Sequence, residues 1–570
     1  MSGTDVTVAA LAGRVWDALL AEDPLDATAM GFHEYDALLP DNGPSAADAA
    51  QRRLRELRAG TEAVPVEQLS REDRVTRSAL LAFLETELAM QLPRHADWNV
   101  DPMLGPVSVL ASAGERQPVA NAAQRADLRR RWREMAPYLD RYGAGLRRAL
   151  GAGRVAPAVL VRQVIAQIDG LLGAPLAASP LLELTQADQA DWSDRERDSC
   201  LVELAAIVTE EVLPAFVRLR ELLADEVLPR ARPDDRAGLG ALPGGAQLYA
   251  RAIRGFSTLD LTAEQVHEIG LAEVARTDAE LTESGRRVLG SDGLADTLGR
   301  LLAGDGTGFR DREELLAVAR DVVERAEAAA PEWFGLRHDE PCLVRAAPPQ
   351  EEQNAPFAYY FPPAADGSRA GVYYVNTSAL ETRARFDVVV DACHEAVPGH
   401  HLQIAVARRL TGLPAFRRLG QPPAYQEGWG LYAEQAGELM GLYRTDLDRL
   451  GRRAKDALRS CRIVVDTGLH ALGWSRQEAI DYLTEHTAFP AEGAAREVDR
   501  YLAWPGQALS YKLGQLEILA LREEARERQG PAFDIRRFHN VVLGSGALPL
   551  VTLRELVETE LRGPEVQGAD

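Results

Sequence analysis

The chain has 570 residues and a formal net charge of −22, from 64 basic and 86 acidic side chains. This acidic surplus argues against a nucleic-acid or anionic-membrane partner, and we expect neither. The four cysteines have no C-x-x-C spacing, which is typical of a reduced protein without disulfides. No targeting segment is expected, because Arg14 and Asp17 interrupt the first apolar stretch. These features together predict a cytoplasmic protein.

The first part of the chain indicates one helix after another. Apolar residues recur every three or four positions, as at Leu201 and Leu204. A stretch rich in Pro, Gly and Asp follows at residues 229–245 and is typical of a boundary. A chain of this length also exceeds the size at which one core usually stops growing. We therefore predict two helical parts, 1–235 and 246–562, with the functional site in the second.

The strongest strand signal lies at residues 371–376, where β-branched and aromatic residues follow a turn-rich segment. Tyr373 and Tyr374 are adjacent there, so one should face a cleft and the other the core. A helix is predicted shortly afterwards, running into His394. Its apolar face has the spacing i, i+3, i+4 and i+7, and is formed by Phe386, Val389, Val390 and Cys393. The sequence therefore predicts a mainly helical protein with a small sheet beside the site.

The segment 394–401 reads H-E-A-V-P-G-H-H and is a metal-binding candidate. Zinc hydrolases commonly use H-E-x-x-H on a helix, because positions i and i+4 share one face. Here Pro398 occupies the i+4 position, where it would clash with the carbonyl group of His394 in a regular helix. We expect the helix to bulge at this proline and the glycine after it. A bulge of two residues would make His400 the second ligand, with His401 as the alternative.

A third ligand is expected from the segment 425–434, which reads Y-Q-E-G-W-G-L-Y-A-E. Glu427 follows His400 by 27 residues and supplies a carboxylate of the kind that zinc accepts. Glu434 lies seven residues later on the same helical face and suits a hydrogen-bonded partner of a ligand histidine. The alternative interpretation of this segment is a solvated acidic helix. Glu395 would be the base that removes a proton from a metal-bound water.

Two further groups have weaker support. Arg462, Asp466 and His470 fall at i, i+4 and i+8, so one helical face presents all three. Arg462 and His470 could receive a substrate carboxylate or an oxyanion, or the set could be a structural ion-pair and capping group. Tyr511 precedes a predicted helix and could be a simple core residue.

The sequence resembles the bacterial proteins of domain-of-unknown-function family 885, which carry an H-E-A-x-P-G-H-H signature. The resemblance covers nearly the whole chain, so both predicted parts would belong to one family-wide domain. Besides the octapeptide, the segments that carry it are Gly31–Asp36, Leu261–Leu271, Tyr373–Thr377, Glu427–Trp429, Asp466–His470 and Pro505–Tyr511.

That family looks like a distant relative of gluzincin peptidases such as angiotensin-converting enzyme, thimet oligopeptidase and carboxypeptidase Taq. The resemblance implies a two-lobed, zincin-like helical fold with a deep cleft. It also implies Glu427 as the third ligand and Tyr511 as the residue that stabilises the oxyanion. An edge strand in those enzymes binds the substrate backbone. Here that strand would be residues 372–376, with Tyr373, Tyr374 and Asn376 as substrate-binding residues.

We therefore predict a zinc metallopeptidase that hydrolyses peptide bonds in oligopeptides. Zn²⁺ would be bound by His394, His400 and Glu427, with Glu395 and Tyr511 as the catalytic residues. The first alternative keeps the metal chemistry and changes the substrate to a non-peptide amide of specialised metabolism. The second alternative is a non-catalytic metal-binding scaffold, which would have no need of a base beside the metal.

Overall fold

A computed structural model describes the chain at residues 7–91, 98–184, 192–304, 308–336, 339–348, 356–364, 367, 369–380, 383–420 and 422–562. It is mainly helical with one small sheet, which confirms the predicted secondary-structure class. In the part of the chain that is described, no helix is long and apolar enough to cross a membrane.

The first half of the chain contains ten α-helices before residue 229 within the described ranges. They are α1 (Val8–Glu22), α2 (Pro24–Met30), α3 (Pro44–Glu62), α4 (Arg71–Gln91), α5 (Pro106–Ala111), α6 (Ala113–Arg116), α7 (Ala122–Gly151), α8 (Ala158–Gly173), α9 (Asp194–Ile207) and α10 (Leu213–Leu222). Short π-helical segments, Val208–Val212 and Leu223–Val227, continue α9 and α10.

The second half carries the sheet and the remaining helices. Before the sheet come α11 (Gly245–Ser257), α12 (Ala263–Leu289), α13 (Leu294–Ala303) and α14 (Arg312–Trp333). After it come α15 (Arg385–Glu395), α16 (His400–Arg409), α17 (Ala415–Arg418), α18 (Pro423–Leu439), α19 (Asp446–His470), α20 (Arg476–His486), α21 (Ala491–Ala503), α22 (Leu509–Gln529), α23 (Ile535–Leu543) and α24 (Leu550–Glu560).

The long helix α19 is the central support of the site, because it packs against α12, α15 and α22. Its start is set by a capping box in which the Thr445 hydroxyl accepts from the Asp448 N–H and the Asp448 carboxylate accepts from the Thr445 N–H. Two orphan backbone donors are thereby satisfied. The partner helix α12 begins in the same way at Thr262 and Gln265.

The sheet has three strands in the order β1–β3–β2, where β1 is Leu343–Ala346, β2 is Ala358–Phe361 and β3 is Val372–Val375. Strand β3 pairs in parallel with β1 and antiparallel with β2. The expectation that residues 372–376 form an edge strand is therefore wrong. Both hydrogen-bonding sides of β3 are already occupied, so its backbone has no free side for a substrate strand.

The hydrophobic cores draw on both predicted parts of the chain. One core is built entirely from the first part, between Leu25 and Val227. The largest core instead joins buried residues of α1 and α4, such as Leu11 and Leu80, to residues of the second part such as Val390. The division into 1–235 and 246–562 stays a prediction.

Candidate metal centre

The segment that carries the histidines is a sharp turn between two helices. The chain leaves α15 after Glu395, and Ala396 adopts φ −100° and ψ −113°. Helix α16 then begins at His400. The regular helix is interrupted at Pro398, as predicted. The prediction of a bulge within one continuous helix is wrong, because α15 ends and α16 starts as a separate helix. A Cβ atom on Gly399 would lie 1.8 Å from the carbonyl oxygen of His394, so only glycine fits there.

This turn is held from the side by α18. The Nε1–H group of Trp429 donates a hydrogen bond of 2.9 Å to the carbonyl oxygen of Pro398. Trp429 is fully buried, which fixes the donor in place. Helix α18 also carries the predicted third ligand two residues earlier, at Glu427. The turn and the carboxylate are thus positioned by the same helix.

The structure brings His394, His400 and Glu427 into one cluster whose ligand atoms all lie within 4.8 Å of one another. The Nε2 atoms of the two histidines lie 3.5 Å and 3.6 Å from the same Glu427 oxygen, Oε2. Tetrahedral ligands at about 2.1 Å from zinc are separated by about 3.4 Å. Two imidazoles and one carboxylate at these separations therefore fit a zinc site with a further position for water.

The first histidine is oriented by a second glutamate. Nδ1 of His394 lies 2.8 Å from Oε1 of Glu434, and both side chains are only 5% exposed. A proton on Nδ1 that donates to this carboxylate leaves Nε2 free to face the cluster. Gly430 makes room for the ring, since a Cβ atom there would lie 2.5 Å from Cε1 of His394. Glu434 thus takes the place expected for it.

His401 points elsewhere. Its ring is fully buried, with Nδ1 2.9 Å from the Tyr360 hydroxyl group and Nε2 2.9 Å from the carbonyl oxygen of Glu340. Both nitrogens therefore face the sheet and the segment before it. Of the two histidines that the sequence left open, the structure brings His400 to Glu427.

The cluster is rich in negative charge. Burial lowers the pKa of His394, but hydrogen bonds with Glu427 and Glu434 outweigh it and raise that pKa to about 10. Burial raises the pKa of Glu427, yet hydrogen bonds with both histidines hold it well below its usual range. Glu395 has a raised pKa because it is buried, an effect that the nearby His394 and His400 partly offset. Three carboxylates beside two imidazoles give the cluster a negative charge that a bound divalent cation would offset.

The three residues predicted to bind substrate on and just after β3 differ in their surroundings. Tyr373 is fully buried, whereas Tyr374 is half-exposed and stacks on Tyr359 with ring centroids 5.0 Å apart. Tyr373 therefore lies in the core, as one of the two tyrosines was predicted to do, and a cleft beside Tyr374 stays a prediction. Asn376 is buried, and its Oδ1 accepts from the N–H and hydroxyl groups of Ser378. Tyr374 is therefore the one of the three whose side chain is accessible.

The α19 residues also separate into two kinds. His470 is buried, with Nδ1 accepting from the Leu239 N–H group and Nε2 3.0 Å from the carbonyl oxygen of Tyr501. These contacts support its structural interpretation. Arg462 donates to Glu497, and its Cζ lies 4.6 Å from the ring centroid of Tyr511.

Sequence reasoning missed three residues that shape the centre. Trp429 and Gly430 lie inside the segment already singled out for Glu427, so their position next to a predicted ligand was an available signal. Tyr360 had no such signal. Its contact with His401 depends on the pairing of β2 with β3, which no local pattern encodes.

Comparisons with solved structures support a shared fold. A candidate lipoprotein from Colwellia psychrerythraea superposes with a TM-score of 0.91 at 26% identity, covering 98% of this chain and 99% of that one. A candidate lipoprotein of unknown function from Shewanella oneidensis has a TM-score of 0.75 at 18% identity, with 96% and 99% covered. No curated protein matches. A family profile described as "Bacterial protein of unknown function (DUF885)" matches residues 24–557, so the chain belongs to this family.

Proposed function

We propose that this protein is a zinc-dependent peptidase that hydrolyses peptide bonds in oligopeptides. The observation that carries the proposal is the pair of histidine Nε2 atoms at 3.5 Å and 3.6 Å from one Glu427 oxygen. Glu395 immediately follows the first of these histidines in the chain. A metal-binding scaffold has no use for a carboxylate in this position, whereas a hydrolase needs one.

His394, His400 and Glu427 would hold the zinc. When bound, the metal would lower the pKa of a water toward about 7 and polarise a carbonyl group. Glu395 would accept a proton from the attacking water and pass it to the leaving amine. Burial raises its pKa, which is the direction that favours a carboxyl group acting first as a base and then as an acid.

Tyr511 is our proposed stabiliser of the oxyanion. It has no hydrogen-bond partner among the described residues and is half-buried, so its hydroxyl group is available to a ligand. A phenol that donates to developing negative charge stabilises the transition state. The two-lobed, zincin-like architecture with a deep cleft belongs to the same proposal. Its support is the mainly helical fold together with helix α15, which carries both His394 and Glu395.

Metal analysis combined with a peptide-library digest tests the function. We expect about one zinc per chain, lost in His394→Ala and in Glu427→Ala. Glu395→Gln should keep the metal and abolish hydrolysis, because the amide cannot accept the proton. Near-normal turnover by Glu395→Gln would refute the assignment of the base. Zinc binding with no peptide cleavage by the wild-type protein would favour a non-peptide amide or a scaffold.

A further inference from the structure

Two arginines of α19 converge on one aromatic ring. The Cζ atoms of Arg459 and Arg462 lie 4.9 Å and 4.6 Å from the ring centroid of Tyr511. Glu497 accepts from Arg462 and from Arg500, and it is the carboxylate paired with this group among the described residues. Arg462 and Arg500 thus share Glu497, and Arg459 has no carboxylate partner among the described residues. Within a chain of net charge −22, three arginines beside one carboxylate leave a local surplus of two positive charges.

Some of the donors in this group are not used by the protein. Nη1 of Arg462 and Nε of Arg459 are buried, and neither has a hydrogen-bond partner among the described residues. Arg462 as a whole is only 5% exposed. An unsatisfied buried donor costs stability, and like charges side by side add to that cost. An anion that accepts from these groups would remove both penalties.

The position of Arg459 relative to Glu395, the proposed base, is indicated by helices α15 and α19, which run in the same direction. Phe386 of α15 lies against Gly451 of α19. Further along both helices, Nζ of Lys455 lies 3.3 Å from Oδ1 of Asp387 and 3.3 Å from Oδ1 of Asp391. Arg459 is one turn after Lys455, about 6 Å further along α19. It is therefore directed toward the end of α15 that carries Glu395, the proposed base.

We propose that Arg459 and Arg462 form a subsite for the free C-terminal carboxylate of a peptide substrate. This inference rests on the proposed peptidase function, which it deepens by naming the substrate class. Arginine is suited to the role because its planar group can bind a carboxylate through two parallel hydrogen bonds. A carboxylate subsite toward the end of α15 that carries the base would direct cleavage to bonds near the C-terminus rather than to internal bonds of long chains.

The carboxylate could come from the C-terminus of a peptide or from an Asp or Glu side chain. Retention of peptides on the protein distinguishes these two sources. The bait is immobilised, zinc-loaded Glu395→Gln protein, which is proposed to bind without turnover. The probes are three equimolar sets of N-acetylated random pentapeptides. The first ends in a free carboxylate and lacks Asp and Glu, the second is its C-terminal amide, and the third is an amide that contains Asp or Glu. The retained fractions are measured by mass spectrometry.

We expect the free-acid set to be retained at least tenfold over both amide sets. When the Arg459→Gln substitution is added to the Glu395→Gln protein, the ratio of free-acid to amide retention should fall below threefold. Arg449→Gln is the matched control, since Arg449 lies on the same helix and pairs with Asp446 and Glu438, and it should leave the ratio unchanged. Thermal unfolding of both variants reports whether they fold.

Equal retention of free acids and neutral amides would overturn the proposal, as would retention of no set. Equal retention of free acids and acidic amides would overturn the assignment to the C-terminus. The outcome is distinguishable from failure of the proposed function, because retention needs no turnover. Free-acid retention by a protein whose wild type hydrolyses nothing would uphold the subsite and reject the peptidase.

Discussion

Removal of the Glu434 carboxylate should weaken zinc binding although Glu434 is not a predicted ligand. Its Oε1 lies 2.8 Å from Nδ1 of His394, and both groups are almost completely buried. The contact fixes which nitrogen of the histidine carries the proton and prevents the ring from turning. Without it, part of the binding energy of zinc must be spent on orienting His394.

The expected magnitude follows from the nature of the contact. Loss of a partner that orients a ligand histidine typically weakens metal binding 10- to 100-fold, or about 1.4 to 2.7 kcal/mol. Glu434→Gln keeps the shape and one acceptor oxygen, so we expect about a tenfold loss, near the lower limit. Glu434→Ala removes the acceptor entirely and should approach the loss of about 100-fold.

Competition titration against a chromophoric zinc chelator measures these affinities. Glu438→Gln is the control, because Glu438 lies one turn further along α18 and pairs with Arg452 at 2.8 Å instead. It should bind zinc as the wild type does, within a factor of about two. If Glu434→Ala also stayed within about threefold of the wild type, the orienting role of Glu434 would be refuted.

Three further outcomes are expected. His400→Ala should strip zinc, whereas His401→Ala should retain it, as measured by metal analysis; the reverse result would exchange their roles. Gly430→Ala should weaken zinc binding about tenfold, because the added Cβ atom would displace His394. Gly412→Ala is the control and should leave zinc binding unchanged, because a Cβ atom there has no neighbour within 4 Å. Burial lowers the pKa of His539 to about 4, below its unfolded value of about 6.5. The unfolded chain therefore binds more protons between these values, and stability that is complete above pH 6.5 falls by about 2 kcal/mol at pH 5. Urea unfolding at pH 7.5 and 5.0 should show this loss in the wild type and a smaller one in His539→Gln.

Local patterns along the chain were sufficient to predict much of the candidate metal centre. The apolar face of α15 predicts a helix that delivers His394 and Glu395 together. Proline at the i+4 position predicts that a regular helix cannot continue, although not that it ends completely. Glu427 and Glu434 are seven residues apart, so any helix through them places both on one side. Each of these inferences needs only the geometry of a single element.

Tertiary structure alone decided the rest. Val372 to Val375 read as a strand, but its central position depends on pairing with β1 on one side and β2 on the other, which the pattern within these residues does not encode. His400 and His401 are adjacent and chemically identical, and the contact of His401 with Tyr360 on β2 distinguishes them. The convergence of Arg459 and Arg462 on Tyr511 likewise joins two helices. Periodicity determines which face of an element a residue occupies, whereas the packing of distant elements determines what that face meets.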